Sequence, residues 1–144
     1  MNELLLMCMI AGRRAAIPAS EVLSVIEIDE ITPIPGTPDF IRGLTALRSQ
    51  ALTVIDCPLA IGLASSGDLP EQRAAVVEVD GHQYALLVDA AYDVSEARSD
   101  AVAVPGGFGA GWQRAAVGMV ETDGGPTLVI DVPGLIAGPI AEAA

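Results

Sequence analysis

Asp56 and Asp131 stand in closely matched surroundings, "LTVIDCPLAI" at 52–61 and "TLVIDVPGLI" at 127–136, with their VID triplets 75 positions apart. Two carboxylates brought together by a fold could share general acid–base work. The same flanks also describe a helix start, with a carboxylate cap and a proline two positions on. This second reading predicts that each Asp caps the helix following its strand. The single histidine, His82, directly follows Asp80-Gly81, so a solvated imidazole beside a turn is expected rather than a catalytic base. Ser65, Ser66 and Ser99 fall in loop-like segments without a nucleophile-elbow pattern. "GGFGAG" lacks the glycine spacing of a dinucleotide fingerprint, and no "GK[ST]" phosphate loop exists. Cys8 and Cys57 show no C-x-x-C spacing and lie inside apolar runs. They read as buried reduced thiols, which suits the cytosol. No catalytic residue, metal site or cofactor is expected.

The elements that must carry these residues are apolar and acidic. Of 144 residues 51% are hydrophobic, yet the only aromatics are Phe40, Phe108, Trp112, Tyr84 and Tyr92. Val, Ile, Leu and Ala must fill the core, a bias that favours sheet. One domain of this length hides roughly 68–70% of its unfolded surface, enough for a core without disulfides. A net charge of −12 with seven basic residues argues against nucleic-acid binding. It argues equally against docking on anionic headgroups. In "MNELLLMCMIAGRR", Glu3 precedes the apolar run and the arginines follow it, the reverse of a secretory signal. The run is too short to span a membrane and reads as a buried strand.

Turn signals divide the chain. A hairpin is expected over residues 4–17, turning through Gly12-Arg13-Arg14, with one helical turn at "PASEV" and a strand at "VLSVIEI". Thr37, Pro38 and Asp39 resemble a helix start, with Gly43 as its stop and Arg42 solvated on its surface. "LTALR" and "ALTVID" flank a tight turn at Ser49-Gln50. Residues 62–72 read as a linker. "AAVVEV" and "HQYALLV" flank Asp80-Gly81, a dipeptide that tolerates φ > 0. "VPGGFGAG" reads as a mobile loop, and residues 115–131 as a last hairpin followed by a weak helix. The hairpin turns at Gly12 and Gly81 lie 69 apart. With the VID spacing, this predicts two similar antiparallel β units.

"IPGTPDFIRGLTALRSQALTVIDCPLAI" resembles the signature segment of the CheW-like family, adaptors that couple chemoreceptors to the CheA histidine kinase. The matching residues are Pro35, Pro38, Phe40, Ile41, Gly43, Leu47, Arg48, Ile55 and Asp56. Outer segments resemble the same family over nearly the whole chain. Three positions depart from its pattern: Ala46 replaces Asn, Ser49 replaces Gly, and Thr53 replaces Pro. The resemblance implies a mainly β fold of two SH3-like five-stranded barrel subdomains with short helices. Expected bounds are 15–65 and 75–130 within a single domain of 1–144, with terminal segments crossing or packing between them. It further implies a non-catalytic scaffold, cytoplasmic and associated with receptor arrays.

Two partners are implied: the CheW-like regulatory domain of a CheA-type kinase, met end to end, and the cytoplasmic tip of chemoreceptors, held in an apolar groove between subdomains. The expected partner-binding residues are Arg48, Glu27, Val25, Ile28, Gly43 and Leu47. Arg48 could instead bond carbonyls of the 33–38 loop. Alternatives are a scaffold in a divergent two-component pathway, which the departures at 46 and 49 suggest, or a small-ligand β-barrel sensor gated by the glycine-rich loop near Trp112.

Overall fold

The computed structural model describes residues 3–63 and 72–138. The strands are β1 (Leu4–Ile10), β2 (Arg13–Pro18), β3 (Val22–Ile28), β4 (Ile41–Leu47), β5 (Gln50–Asp56), β6 (Gln72–Val79), β7 (His82–Val88), β8 (Ala90–Glu96), β9 (Ala116–Thr122) and β10 (Gly125–Ile130). Short helices α1 (Cys57–Ile61), α2 (Ala110–Ala115) and α3 (Val132–Ile136) join them, with 3-10 turns at Ala19–Glu21 and Gly106–Phe108. Two five-stranded sheets result, ordered β8-β1-β2-β10-β9 and β3-β6-β7-β5-β4. We call them barrel A and barrel B.

Each sheet closes through one isolated bridge beyond its edge strand, Thr32 with Leu44 in barrel B and Val102 with Met119 in barrel A. Both bridges carry paired backbone bonds of 2.8–2.9 Å. The glycine beside each bridge lets the strands touch. A methyl at Gly118 would stand 2.8 Å from the Val102 carbonyl oxygen, and one at Gly43 would meet the Thr32 oxygen nearer still.

Side-chain alternation explains why the strands read as continuous apolar runs. In β6, Ala74 and Val76 face the interior of barrel B, while Ala75 and Val77 face the junction between barrels. In β10, Val129 faces the interior of barrel A, while Leu128 and Ile130 face the junction. Three apolar cores form, one inside each barrel and a larger shared one containing Trp112.

The expected repeat is present. Barrel B comprises an edge strand, a hairpin ending in a capped helix, and a second hairpin, and barrel A has the same parts in the same spatial order. The exchange of strands sets the make-up of each barrel. The first hairpin, β1–β2, joins β8, β9 and β10 from the far end of the chain, while β3 to β7 form barrel B. The expected bounds of 15–65 and 75–130 therefore do not follow the sheets. Parallel pairs β2–β10 and β5–β7 complete the two sheets.

No helix forms at Thr37–Arg42. The Thr37 hydroxyl instead donates to the Ile34 carbonyl, and Ile41 already pairs with Ile55 in β4. Sheet pairing overrides a good local cap. The first hairpin turns at Ala11-Gly12 rather than through the arginines, and α2 follows a 3-10 turn within the expected mobile loop. Most of the expected 62–72 linker, with Ser65 and Ser66, lies outside the described residues. Among the described residues, no helix is long and apolar enough to cross a membrane.

Candidate partner-binding surface

The two edge strands at the junction, β3 and β8, hold equivalent places in their sheets. Val25 lies directly opposite Ala75, a residue of the shared core, so its side chain points to the junction side of barrel B. It is nonetheless 39% exposed. In barrel A, Val94 lies opposite Leu6, also of the shared core, and is 52% exposed. Tyr92 on the same strand is exposed too. β8 also packs against β6, the neighbour of β3. Apolar side chains left in water on both rims of a junction mark a surface suited to a partner.

Around the corner of β3, an open groove of 650 Å³ runs between Ile26, Glu27, Glu30, Leu44, Leu47 and Ala51. Its walls are apolar strands and its rim is acidic. The Thr45 hydroxyl donates to the Glu30 carbonyl at 2.8 Å and ties the rim to β4. Glu27 pairs with Arg73 directly across the strand at 3.3 Å, both side chains exposed. Such a pair contributes little to stability and leaves the carboxylate within reach of a partner.

Arg48 and Ser49 form the two-residue turn between β4 and β5, Leu47 pairing with Gln50. Their φ values are 51° and 68°, close to those of Ala11-Gly12 (53°, 77°) and Asp80-Gly81 (52°, 81°). Ser49 thus keeps the turn geometry that glycine would take more easily, at a cost in strain. Arg48 is exposed at the tip, and among the described residues no hydrogen bond or ion pair holds it. The alternative anchoring to the 33–38 loop is not formed.

Two expected contact residues belong elsewhere. Ile28 is 6% exposed and packs inside barrel B with Leu52 and Val76, because alternation turns it away from the face of Val25. Gly43 is buried against Thr32, where its missing side chain closes the barrel. Val25, Glu27, Leu47 and Arg48 remain on or beside the surface. Tyr92 and Val94 went unnoticed in the sequence, and the repeat spacing that pairs β8 with β3 was the signal that could have found them.

Arg42 is not a free surface charge. From β4 its guanidinium lies 3.7 Å from the Asp56 carboxylate, with side chains 25% and 6% exposed. Asp56 also accepts from the Leu59 amide at 3.1 Å, and Asp131 accepts from the Gly134 amide at 3.4 Å. Both aspartates are helix caps, as expected, and each is committed to its own helix. Burial pushes the Cys8 thiol up to about 12, with the Asp89 charge adding to it. Burial first, then Cys8, Asp56 and Asp89, raises Cys57 well above its ordinary value. Neither thiol is a nucleophile. His82 is exposed at the head of β7. Trp112 is itself part of the shared core, and Arg13 stacks 4.5 Å over Phe108 to pin the glycine-rich loop. Among the described residues, packed core rather than open space is what the indole meets. Among the described residues no group of three or more His, Cys, Asp or Glu could hold a metal ion.

The class the fold defines is a pair of five-stranded β-barrels with exposed apolar edges at their junction. The family model of the CheW-like domain matches residues 4–139, and the chain belongs to that family. The crystal structure of the scaffolding protein TtCheW from Thermoanaerobacter tengcongensis superposes with a TM-score of 0.79 at 25% identity, over 92% of this chain and 86% of that one. The chemotaxis protein CheW of Thermotoga maritima is 26% identical over 125 residues, 84% of this chain and 79% of that protein. Protein FrzA of Myxococcus xanthus is 42% identical over 43 residues, 30% of this chain and only 27% of FrzA's length. Proteins of this family are non-catalytic scaffolds of chemotaxis signalling, and the present chain is a scaffold of that class.

Proposed function

We propose that this chain couples chemoreceptors to a CheA-type histidine kinase at receptor arrays in the cytoplasm. The observation that carries the reading is the pair of exposed valines, Val25 and Val94, on the junction sides of equivalent edge strands. A receptor tip is a helical hairpin with an apolar ridge, and such a ridge fits a rim that presents apolar side chains from two sheets. Arg48 at an exposed turn tip and the groove with its acidic rim beside it suit the CheW-like regulatory domain of the kinase. A guanidinium on a strained, fixed turn is well placed for bidentate pairing with a carboxylate.

The test is binding of a chemoreceptor-tip peptide by the full chain and by Val25→Asp. Loss of tip binding with kinase binding retained supports the division of surfaces. Equal binding of the tip by both proteins removes the junction reading. Arg48→Ala should weaken the kinase domain by about tenfold, one charge-assisted bond, while leaving the fold intact. A second reading, a scaffold in a divergent two-component pathway, is favoured by the non-glycine turn at Arg48-Ser49. A kinase other than a chemotaxis CheA captured by the Arg48 face would select it.

A further inference from the structure

Among the described residues, the junction between the two barrels is built on a shared apolar core, and burial of apolar surface is not directional. One side chain, carried by barrel A, bonds a helix of each barrel. Arg114, half-buried on α2, donates through Nη1 to the Gly134 carbonyl at 2.7 Å and through Nη2 to the Ala60 carbonyl. Those carbonyls lie in the last turns of α3 and α1. α1 continues β5 of barrel B and α3 continues β10 of barrel A. Each is a helix end whose unpaired carbonyls carry partial negative charge, and a guanidinium satisfies both at once. α2 is also wedged against α1 so closely that a methyl on Gly111 would overlap the Ile61 carbonyl oxygen. At the far crossover, the Asp89 amide donates to the Met9 carbonyl and its carboxylate accepts from Gly12.

We propose that Arg114 is a positioning residue that fixes the angle at which the two barrels meet, and through it the spacing of β3 and β8. An apolar contact has no preferred direction of its own, whereas a planar fork held on two carbonyls does. The consequence for binding rests on the reading that a receptor tip spans β3 and β8. The consequence for geometry does not.

The test uses the full chain with nitroxides at Ala46 and Glu121, exposed positions on β4 and β9. Pulsed electron-electron resonance reads the distance between barrels, and hydrogen exchange reads each barrel separately. Arg114→Met should replace one narrow distance by a broad distribution while strand amides stay protected. Arg114→Lys, which can reach one carbonyl at a time, should fall between. Tip-peptide affinity should drop by about tenfold in Arg114→Met. An unchanged distance distribution in Arg114→Met overturns the proposal. So does loss of strand protection in both variants, which would make Arg114 a residue of general stability. A wild type that fails to bind the tip, together with a broadened Arg114→Met, overturns the groove reading and leaves the positioning role supported.

Discussion

Barrels A and B are built from matching parts and differ in how those parts are stabilised. Gly43 matches Gly118, the Thr32–Leu44 bridge matches Val102–Met119, and the Asp56 cap matches Asp131. Even the amides of the two aspartates find equivalent acceptors, the carbonyls of Phe40 and Ala115. The chemistry around them diverges. Asp56 is covered by Arg42, but the corresponding place in barrel A is Val117, 62% exposed. Asp131 and Glu3 both act as negative charges on Glu21. The turn after β4 carries the unsupported Arg48-Ser49, whereas the turn after β9 has Gly125 at φ 106° and a Thr122 hydroxyl bonded to the Gly124 amide and the Gly125 carbonyl. Backbone plan is thus shared, and side-chain charge is what makes the two halves different surfaces.

Substituting the bridge glycines tests the shared plan most severely. Gly43→Ala should cost about 3–4 kcal/mol, overpacking plus strain at φ 141°, and Gly118→Ala about 1–2 kcal/mol, as read from urea midpoints. Equal losses would mean that the two closures are equally tight. Next is the missing cation. Arg42→Met leaves a nearly buried carboxylate short of its partner and should cost about 2 kcal/mol, while Val117→Met should change stability by less than about 0.5 kcal/mol. A smaller effect is expected at the turn. Ser49→Gly should stabilise the fold by about 0.5 kcal/mol, the left-handed strain relieved less the added backbone freedom.

The smallest effect concerns pH. Partial burial, then Asp131 and Glu3, raises the Glu21 carboxyl above its ordinary value. A raised acid binds its proton more tightly in the folded state, so its stabilising contribution is present below the ordinary glutamate value and is lost as pH rises through the raised one. Glu21→Gln should flatten that decline in thermal midpoints across the weakly acidic range. No such flattening would show that the acidic end of barrel A carries no electrostatic cost.

Much of this was legible in the chain. Asp80-Gly81 announced its hairpin because few other dipeptides accept φ > 0 twice. The two VID-x-P segments announced capped helices because cap chemistry is local. Arg42 misled because its partner, Asp56, sits on the neighbouring strand and only tertiary pairing brings them together. Ile28 misled because it stands three positions from Val25, so strand alternation alone turns it to the opposite face, inside barrel B. Arg114 gave no signal at all, since its acceptors are backbone carbonyls whose positions no side-chain pattern encodes. The family signature located Arg48 and Leu47, but it could not separate residues that close a barrel from those that face outward.

The separation of β1–β2 from the rest of barrel A has a consequence for synthesis. Barrel B is built from a continuous run, β3 to β7, and all its strands leave the ribosome together. The first hairpin must wait, because Ala15 pairs with Leu128 and Ala16 with Val129, residues made 113 positions later. At about 5–20 residues per second, an apolar hairpin stays without its sheet for several seconds. During that interval a finished barrel B offers its junction face as the nearest surface on which Leu6, Cys8 and Ile10 can shelter. The connectivity thus brackets barrel B between the two parts of barrel A in the order of synthesis.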